Sequence, residues 1–330
     1  MPDKRATIAA IAHYLPERRL TNMDLESMVD TTDQWIFDRT GIRERRIVDP
    51  GIATSDLALE ASRRVLEKRG IGAEDIDLII VATVTPDMFF PSTACVLQEK
   101  LGARNAWGFD LLGACSGFIY ALTTGAQFIA TGRHERVLVV GADVMSSIID
   151  FEDRATCILF GDGAGAALLE PTDGTSGLLD WTLHSDGGGG KFLYMPAGGS
   201  LNPTTQETVA KKMHYVHQDG RNVFKNAVKG MVEVSERILA RNELTIDDVK
   251  LYVPHQANLR IIKSVAGKLG LDESRVSLNI DRYANTTAGT IPICLSEADT
   301  NKQIGEGDIV LLASFGAGFT WGAVLLRWGR

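Results

Sequence analysis

The sequence predicts an α/β protein in which one structural unit occurs twice. Segments 73–102 and 246–270 each contain an acidic entry, an apolar strand, a polar turn and a helix that ends in Lys-Leu-Gly. Segments 135–144 and 307–316 are both continuous apolar runs, as expected of strands that are buried on both faces. Both pairs are separated by about 170 residues, and features that recur at one offset indicate an internal duplication. Chance similarity between apolar strands is the alternative for any single pair.

The helix in each copy has a continuous apolar stripe, which supports the same prediction. The stripes recur at helical spacing and consist of Ala94, Leu97 and Leu101 in the first copy and Leu259, Ile262, Ala266 and Leu269 in the second. We therefore expect two halves rich in βαβ units, 1–170 and 171–330, whose helices cover buried sheets. Segment 186–203 is rich in glycine and proline, so we expect a surface loop there.

The composition argues against several classes of protein. The chain has 330 residues, 45% of them hydrophobic and 23% charged, as in ordinary globular proteins. Its 42 acidic and 34 basic residues give a net charge of −8, which argues against nucleic-acid binding but allows a small basic patch. The N-terminus lacks the apolar stretch of a signal peptide, and the four cysteines lack metal-binding spacing. We therefore expect a cytoplasmic protein with reduced thiols.

Two uncharged segments, 111–132 and 309–326, are long enough to cross a membrane as helices. The first contains four glycines and four serine or threonine residues, and the second is interrupted by Gly316, Gly318 and Gly322. Such segments fit the interior layers of an α/β protein better than a lipid bilayer. We expect no membrane span.

Cys115 is the strongest candidate for a nucleophile. An apolar strand over 107–112 leads into Gly-Ala-Cys-Ser-Gly, after which an apolar helix begins. This order predicts a thiol at a helix N-terminus, where unpaired N–H groups and the helix dipole favour the thiolate. Gly113 and Gly117 are expected to permit the tight turn that exposes the side chain. A lone cysteine is more often a core residue, and we expect this role, in a helix, a strand and a helix, for Cys95, Cys157 and Cys294.

Asn285 and His255 are the candidate partners of Cys115. Asn285 lies about 170 residues after Cys115 and, like it, in a turn of small residues before a helix. His255 follows an apolar strand in the segment Val-Pro-His-Gln-Ala-Asn. Two related halves would bring these strand ends to one shared cleft. A single histidine is more often a core or capping residue, so the prediction depends on the three residues together.

Other motifs do not meet the requirements of nucleotide or metal sites. Segment 160–171 has Gly-x-Gly-x-Gly spacing and no long helix after it, which argues against a dinucleotide site. Segment 187–191 lacks the serine or threonine that follows the lysine of a phosphate-binding loop. His214 and His217 have no neighbouring ligands at suitable spacing, so no metal site is expected.

Several motifs, in order along the chain, resemble the β-ketoacyl-acyl-carrier-protein synthase III family. They are DTTDQWIFDRTGIRERR (30–46), GACSGF around Cys115, FGDGAGA, VPHQANLRI around His255, YANTTAG around Asn285 and SFGAGFTWG near the C-terminus. The resemblance extends over Leu15–Trp321 and implies the thiolase fold, a duplicated five-layer αβαβα architecture, and a homodimer. One departure is Ala317, where the family often has glycine. Alanine can still supply a backbone N–H there if its φ is negative.

The resemblance also implies an activity and its catalytic residues. The activity is decarboxylative Claisen condensation of an acyl-CoA primer with malonyl-acyl-carrier protein, which starts fatty-acid synthesis. Cys115 would accept the acyl group, with the backbone N–H groups of Cys115 and Ala317 as the oxyanion hole. His255 and Asn285 would stabilise the enolate. No metal and no cofactor beyond the CoA thioester substrate is implied.

The remaining implied contacts concern the two substrates and the length of the primer. The residues expected to bind CoA are Trp35, Arg39, Arg154, Phe224 and Asn258. Those expected to contact the acidic carrier protein are Gln256, Ala257, Asn258, Leu259 and Arg260. Phe90 would cross the dimer interface and form the floor of the acyl pocket, which favours short primers such as acetyl-CoA. Alternatively, Phe89 and Phe90 only pack the dimer core.

Two other functions remain open from the sequence. One is a condensing enzyme of secondary metabolism with the same catalytic residues and another primer or acceptor. The other is a non-catalytic acyl-binding protein of the same fold. The presence of Cys115, His255 and Asn285 together argues against the second.

Overall fold

Two sheets of related topology form the framework of the chain in a computed structural model that describes residues 5–172 and 174–329. The strands of the described residues are β1 (Arg5–Tyr14), β2 (Arg19–Thr21), β3 (Glu44–Arg46), β4 (Leu78–Ala82), β5 (Trp107–Leu111), β6 (Val137–Asp143), β7 (Gly163–Thr172), β8 (Gly177–Ser185), β9 (Leu193–Tyr194), β10 (His217–Gln218), β11 (Val249–Pro254), β12 (Ile309–Gly316) and β13 (Thr320–Arg327). The helices are α1 (Asn22–Glu26), α2 (Asp33–Thr40), α3 (Thr54–Arg69), α4 (Thr93–Leu101), α5 (Gly117–Ala130), α6 (Arg154–Cys157), α7 (Gln206–Ala210), α8 (Gly220–Arg241), α9 (Leu259–Leu269), α10 (Ile280–Tyr283) and α11 (Thr290–Thr300).

The two large sheets repeat one strand arrangement. The first has the order β1-β7-β6-β4-β5, and the second, followed from its β8 edge, has the order β8-β13-β12-β11. The pairs β4–β6 and β11–β12 are parallel, whereas the pairs that continue each sheet beyond β6 and β12 are antiparallel. Segments 73–102 and 246–270 contain β4–α4 and β11–α9, a strand followed by a helix in each, as predicted. The division into 1–170 and 171–330 stays a prediction, and β7 continues to Thr172.

Helices pack on both faces of both sheets and so form five layers. The outer face of the first sheet is covered by α3 and α4, through buried side chains such as Leu57 and Leu97. Helices α5 and α11 lie between the two sheets, and α8 and α9 cover the second sheet. The layers therefore follow the order α, β, α, β, α, which confirms the predicted fold class.

The two uncharged segments lie in interior layers, as predicted. Segment 111–132 contains α5, whose Phe118, Leu122 and Ile129 are completely buried between the sheets. Segment 309–326 contains β12 and most of β13, which are neighbouring strands of the second sheet. Within the described part of the chain, no helix combines the length and the apolarity needed to cross a bilayer.

Two of the predictions for the remaining cysteines are wrong. Cys95 is exposed, because the apolar stripe of α4 faces the sheet and turns this neighbouring position outward. Cys157 is buried, but it ends the short helix α6 instead of lying in a strand, because the Asp153 side chain caps a helix at this point. Cys294 is buried within α11, as predicted.

Candidate active site

Cys115, His255 and Asn285 line one cavity of about 300 Å³. Cys115 follows β5, His255 directly follows β11, and Asn285 lies in the turn before α11. These three residues are 6%, 3% and 5% exposed, in that order, so their side chains are largely shielded from solvent. The fold thus brings together the three residues that the sequence singled out.

The turn that presents Cys115 differs from the expected one. Cys115 lies in a single 3-10 turn that leads directly into α5. The residue with a positive φ is Ala114, at 46°, whereas Gly113 and Gly117 have φ values of −138° and −54°. These glycines supply space instead of an unusual conformation, because a Cβ on Gly113 would lie 3.0 Å from the Cα of Gly117. An alanine with a positive φ directly before Cys115 indicates a turn that its surroundings hold in place.

The protonation state of Cys115 also differs from the expectation. Burial, and in second place the carboxylate of Asp143, raise the pKa of the Cys115 thiol to about 12. Hydrogen bonds from backbone N–H and from the side chain of Asn285 act in the opposite direction but do not outweigh burial. The free protein therefore holds Cys115 as a thiol at neutral pH, and the predicted thiolate is wrong for this state. The helix N-terminus alone does not compensate for desolvation.

The side chain of Asn285 is oriented by its own turn. Its Oδ1 accepts a hydrogen bond from the Thr287 N–H at 2.9 Å, which leaves the NH₂ group to face the thiol of Cys115. The residue before it, Ala284, has a φ of 56°, so both Asn285 and Cys115 follow an alanine with a positive φ. This shared feature supports the predicted correspondence of the two turns.

His255 is a neutral imidazole with one nitrogen available to the cavity. Burial lowers the pKa of His255 to about 3. Its Nδ1 lies 2.7 Å from the Thr290 hydroxyl oxygen, and its Nε2 has no hydrogen-bond partner among the described residues. A buried nitrogen without a partner is costly unless a ligand meets it. The Nε2 atom is therefore the end of the ring that is available to a ligand in the cavity.

The end of β12 completes the surroundings of Cys115 through Gly316, a residue whose role the sequence analysis missed. A Cβ on Gly316 would lie 2.8 Å from the backbone nitrogen of Cys115, so only glycine allows this close approach. The sequence signal that could have identified Gly316 is its place as the first glycine of SFGAGF. Ala317, the next residue, does not have a positive φ, which meets the condition set for an alanine there.

A second, smaller cavity of about 130 Å³ adjoins Cys115 and Ala317. Its wall is almost entirely apolar and includes Met145, Ile148, Phe160, Leu193 and Val216. These side chains come from both halves and, apart from Phe160 in FGDGAGA, lie outside the motifs, so the sequence analysis did not identify them as a cavity wall. Phe90 is not part of this wall and is 85% exposed.

The residues predicted to bind CoA fall into two groups. Arg39, Phe224 and Asn258 line the 300 Å³ cavity that ends at Cys115. Trp35 and Arg154 lie outside that cavity, and the guanidinium groups of Arg39 and Arg154 lie 4.5 and 4.8 Å from the centre of the Trp35 ring. We call Trp35, Arg39 and Arg154 the nucleotide site. Arg39 connects the two groups, since it lines the cavity and also contacts Trp35, and its carbonyl accepts a hydrogen bond from the Asn258 amide at 3.0 Å.

One residue of the predicted carrier-protein segment is not accessible. Gln256 is completely buried, and its amide donates to the carbonyl groups of Pro254 and Ser277. It stabilises the turn after β11, so its side chain has no surface to offer a carrier protein, and this prediction is wrong. Ala257, Asn258 and Leu259 are half-buried, and Arg260 is exposed.

Comparison with known proteins identifies the family. Family models described as 3-oxoacyl-[acyl-carrier-protein] synthase III and as its C-terminal part match residues 109–187 and 239–328. The β-ketoacyl-[acyl-carrier-protein] synthase III of Koribacter versatilis is 58% identical over 327 residues, with 98% of each chain covered. The synthase III of Thermus thermophilus, whose crystal structure is known, is 44% identical in sequence. Its structure superimposes with a TM-score of 0.91, and the match covers 98% of this chain and 99% of the Thermus chain. The Aquifex aeolicus structure is 41% identical with a TM-score of 0.91, and the corresponding coverage is 98% and 100%. The chain belongs to the β-ketoacyl-acyl-carrier-protein synthase III family, as its motifs predicted.

Proposed function

We propose that Cys115, His255 and Asn285 catalyse the condensation of an acyl-CoA primer with malonyl-acyl-carrier protein. As a member of its family the chain is an acyl-transferring condensing enzyme that starts fatty-acid synthesis. The observation behind the residue assignment is the single cavity that these three side chains share. A thiol, a neutral imidazole and a primary amide supply the nucleophile and the hydrogen-bond donors that the reaction needs.

In the first step the sulfur of Cys115 attacks the carbonyl carbon of acyl-CoA. The bond between that carbon and the CoA sulfur breaks, and CoA leaves as a thiol with the proton that Cys115 gives up. The products are acyl-Cys115 and free CoA. The oxyanion formed during this step is held by the backbone N–H groups of Cys115 and Ala317, which both adjoin the smaller cavity. The acyl chain occupies that cavity.

In the second step the malonyl thioester loses CO₂, and the electrons of the broken bond form an enolate. The Nε2–H of His255 and the NH₂ group of Asn285 donate to the enolate oxygen. The enolate carbon then attacks the acyl carbon, Cys115 leaves as the thiolate, and the 3-oxoacyl-carrier protein is released. Two hydrogen-bond donors here fill the role that a metal ion has in other enolate-forming enzymes, so we propose no further cofactor.

We assign the nucleotide end of CoA to the nucleotide site. The flat ring of Trp35 suits the adenine, and the guanidinium groups of Arg39 and Arg154 suit phosphates. The cavity between this site and Cys115 contains Phe224 and Asn258 in its wall, which suits the pantetheine arm. The same arm connects malonate to its carrier protein, so both substrates would enter by one route.

The carrier protein would dock at the mouth of that cavity. Arg260 is exposed at the start of α9, and Lys225 and Lys229 are exposed on the neighbouring α8, which also supplies Phe224 to the cavity wall. Three cations beside the entrance suit an acidic partner, even though the whole chain has a net charge of −8. Gln256 is excluded from this surface by its burial.

A second copy of the chain would complete the acyl pocket. Strand β5 lies at an edge of its sheet, and Trp107 at its start and Leu112 directly after it are exposed, as are Met88, Phe89 and Phe90 between β4 and α4. Exposed apolar side chains beside an unpaired strand favour self-association. We propose a homodimer in which Phe90 of each copy forms the floor of the partner's smaller cavity. A phenyl ring there limits the depth of the pocket and favours short primers such as acetyl-CoA.

The experiment that tests this function combines acylation with mapping. The protein is incubated with a panel of acyl-CoAs, and the intact mass and the labelled peptide are measured. We expect one acyl group on the peptide that contains Cys115, and no condensation by Cys115→Ser. Cys95→Ser is the matched control, because Cys95 is the exposed thiol where unspecific labelling would occur. Label on Cys95, Cys157 or Cys294 instead of Cys115 would contradict the assignment. Comparing malonyl-carrier protein with malonyl-CoA then identifies the acceptor.

We further propose a cytoplasmic location, because all four cysteines are free thiols.

A further inference from the structure

Arg45 on β3 is the largest of the completely buried side chains of the described residues. Its guanidinium group donates to the side-chain oxygen of Asn22 at 3.0 and 3.1 Å and to the carbonyl oxygens of Leu20 and Ile158 at 3.1 and 3.0 Å. None of these acceptors is a carboxylate. Burial lowers the pKa of Arg45 to about 10, which still leaves it charged at neutral pH. A buried cation without a paired anion is costly, so its presence calls for a function.

Asn22 extends the hydrogen bonds of Arg45 in a second direction. Its side-chain nitrogen donates to the Asp33 carboxylate at 2.9 Å and to the Ile42 carbonyl at 2.7 Å. Asn22 is 1% exposed, and both ends of its amide are occupied. An unbroken series of hydrogen bonds therefore runs from Ile158 through Arg45 and Asn22 to Asp33.

This series of hydrogen bonds joins the two helices that form the nucleotide site. Asp33 is the first residue of α2, which carries Trp35 and Arg39. Ile158 directly follows α6, which begins with Arg154. A helix of four residues does not hold its position by itself, so its place depends on tertiary contacts.

We propose that Arg45 and Asn22 are positioning residues for the nucleotide end of acyl-CoA, because they set the spacing between Trp35 on α2 and Arg154 on α6. This inference rests on the proposed role of the nucleotide site. Neither residue touches the substrate, since both are buried beneath the site. Ile36 of α2 and Cys157 of α6 also belong to one buried apolar cluster. Packing alone holds such a cluster together but defines distances less sharply than directed hydrogen bonds do.

The test compares a substrate that has the nucleotide with one that lacks it. For Arg45→Lys we expect the KM for acetyl-CoA to rise about tenfold, a size typical of residues coupled within one network. The kcat, and the acylation rate with acetyl-pantetheine, should stay within about twofold, because the cavity that ends at Cys115 is unchanged. Arg19→Met is the matched control. Arg19 lies on the paired strand β2 with a side chain that is 60% exposed, and we expect no change in either substrate.

Asp33→Ala is the second variant, because it breaks the same series of hydrogen bonds at a half-buried residue and leaves Arg45 in place. In this variant we expect the same rise in the KM for acetyl-CoA and no change with acetyl-pantetheine. This expectation holds whether or not Arg45→Lys folds. A parallel loss with acetyl-pantetheine in Asp33→Ala would show a general structural role and overturn the proposal. An unchanged KM for acetyl-CoA in Asp33→Ala would overturn it as well.

Two further variants separate this proposal from the proposed nucleotide site. If Trp35→Ala and Arg154→Ala raise the KM for acetyl-CoA while Asp33→Ala does not, the site is correct and the positioning role is wrong. If Trp35→Ala and Arg154→Ala leave that KM unchanged, the site itself is wrong and the positioning role falls with it. In the double variant Asp33→Ala/Arg154→Ala, we expect the KM for acetyl-CoA to be no higher than in Arg154→Ala. Both changes affect the same contact, the one between Arg154 and the nucleotide end of acetyl-CoA. Additive increases in KM would contradict the proposal that Asp33 acts through the position of Arg154.

Discussion

The Nδ1 atom of His255 lies 2.7 Å from the hydroxyl oxygen of Thr290, and that hydroxyl lies 3.1 Å from the carbonyl oxygen of Thr287. A hydroxyl has one proton to donate. If Thr290 donates it to His255, the imidazole proton sits on Nε2 and faces the cavity. If Thr290 donates it to Thr287, Nε2 becomes a bare acceptor. The proposed enolate stabilisation needs the first arrangement, in which Thr290 donates to Nδ1 of His255 and not to the Thr287 carbonyl.

Thr290→Val tests this relationship, because valine keeps the shape of threonine and removes the hydroxyl. We expect the decarboxylation of malonyl thioester to fall about tenfold, less than the ~10²-fold that follows the loss of an oxyanion donor. Thr290→Ser should restore the rate, which a purely steric role would not predict. The release of CO₂ is the measurement. Equal decarboxylation rates in Thr290→Val and the parent would refute the role of the hydroxyl.

Replacing His255 or Asn285 by alanine should affect the second step much more than the first. Each change removes one donor to the enolate oxygen, and we expect condensation to fall on the order of 10²-fold or more. Acylation of Cys115 should survive at least in part, and intact mass measures it separately from decarboxylation. If both variants decarboxylate malonyl thioester at the parental rate, the assigned roles are wrong.

The acylation rate should depend on pH in a defined direction. The pKa of Cys115 is raised to about 12. At every pH below this pKa, a rise of one pH unit therefore increases the thiolate fraction about tenfold. Single-turnover acylation by acetyl-CoA should therefore rise throughout the range from about pH 6 to pH 9. A plateau within this range would show that substrate binding lowers the pKa of the thiol.

Decarboxylation should show a different pH profile, because another residue controls it. The pKa of His255 is lowered to about 3, so the imidazole stays neutral above about pH 5. We expect the decarboxylation of malonyl thioester by the acylated enzyme to be nearly independent of pH between about pH 5 and pH 8. A rate that changes tenfold around pH 6.5 would indicate that His255 titrates in its ordinary range.

Gly316→Ala should block acylation without a change in the catalytic side chains. The added Cβ would lie 2.8 Å from the backbone nitrogen of Cys115, so the loop or the turn has to move. Loss of one oxyanion donor predicts a fall of about 10²-fold in the acylation rate. The matched control is Gly267→Ala, whose Cβ meets no atom within 4 Å. A parental acylation rate in Gly316→Ala would exclude the proposed oxyanion hole.

Phe90→Ala should change the primer preference and leave the chemistry intact. The parent should prefer acetyl-CoA over octanoyl-CoA, because each methylene in a tight pocket costs roughly 1–3 kcal/mol. We expect the variant to accept longer primers, and kcat/KM for acetyl-, isobutyryl- and octanoyl-CoA measures the shift. Efficient use of octanoyl-CoA by the parent, or an unchanged profile in the variant, would defeat the assignment.

The sequence predicted the elements that depend on local periodicity and on the repeat. The apolar runs at β6 and β12, the strand-helix units β4–α4 and β11–α9, and the turns before α5 and α11 all lie where the pattern placed them. A repeat is visible in sequence because the same buried positions recur at one offset. The correspondence of Cys115 and Asn285 followed from this offset alone.

The errors at Gln256 and Cys115 share one physical cause, which is that exposure and charge depend on how the surrounding residues pack. Gln256 lies within a motif that resembles a docking segment, but Pro254 and Ser277 bind its amide inside the protein. Cys115 lies in the turn that leads into α5, but desolvation outweighs the helix dipole and raises the pKa of the thiol to about 12. Neither the burial of Gln256 nor the raised pKa of Cys115 can be predicted from the spacing of residues along the sequence.

By itself, the sequence determined the duplicated α/β fold, the family and the identity of the three residues that share the active-site cavity, because motifs and periodicity are local properties. Only the tertiary structure decided how burial shifts the pKa values of those residues, which atoms of His255 and Asn285 face the cavity, and which apolar side chains line the smaller cavity beside Cys115. It also joined Arg45 on β3 to Ile158 after α6, residues more than one hundred positions apart. Such contacts arise only when the chain packs, since burial and hydrogen-bond partners are set by all layers together.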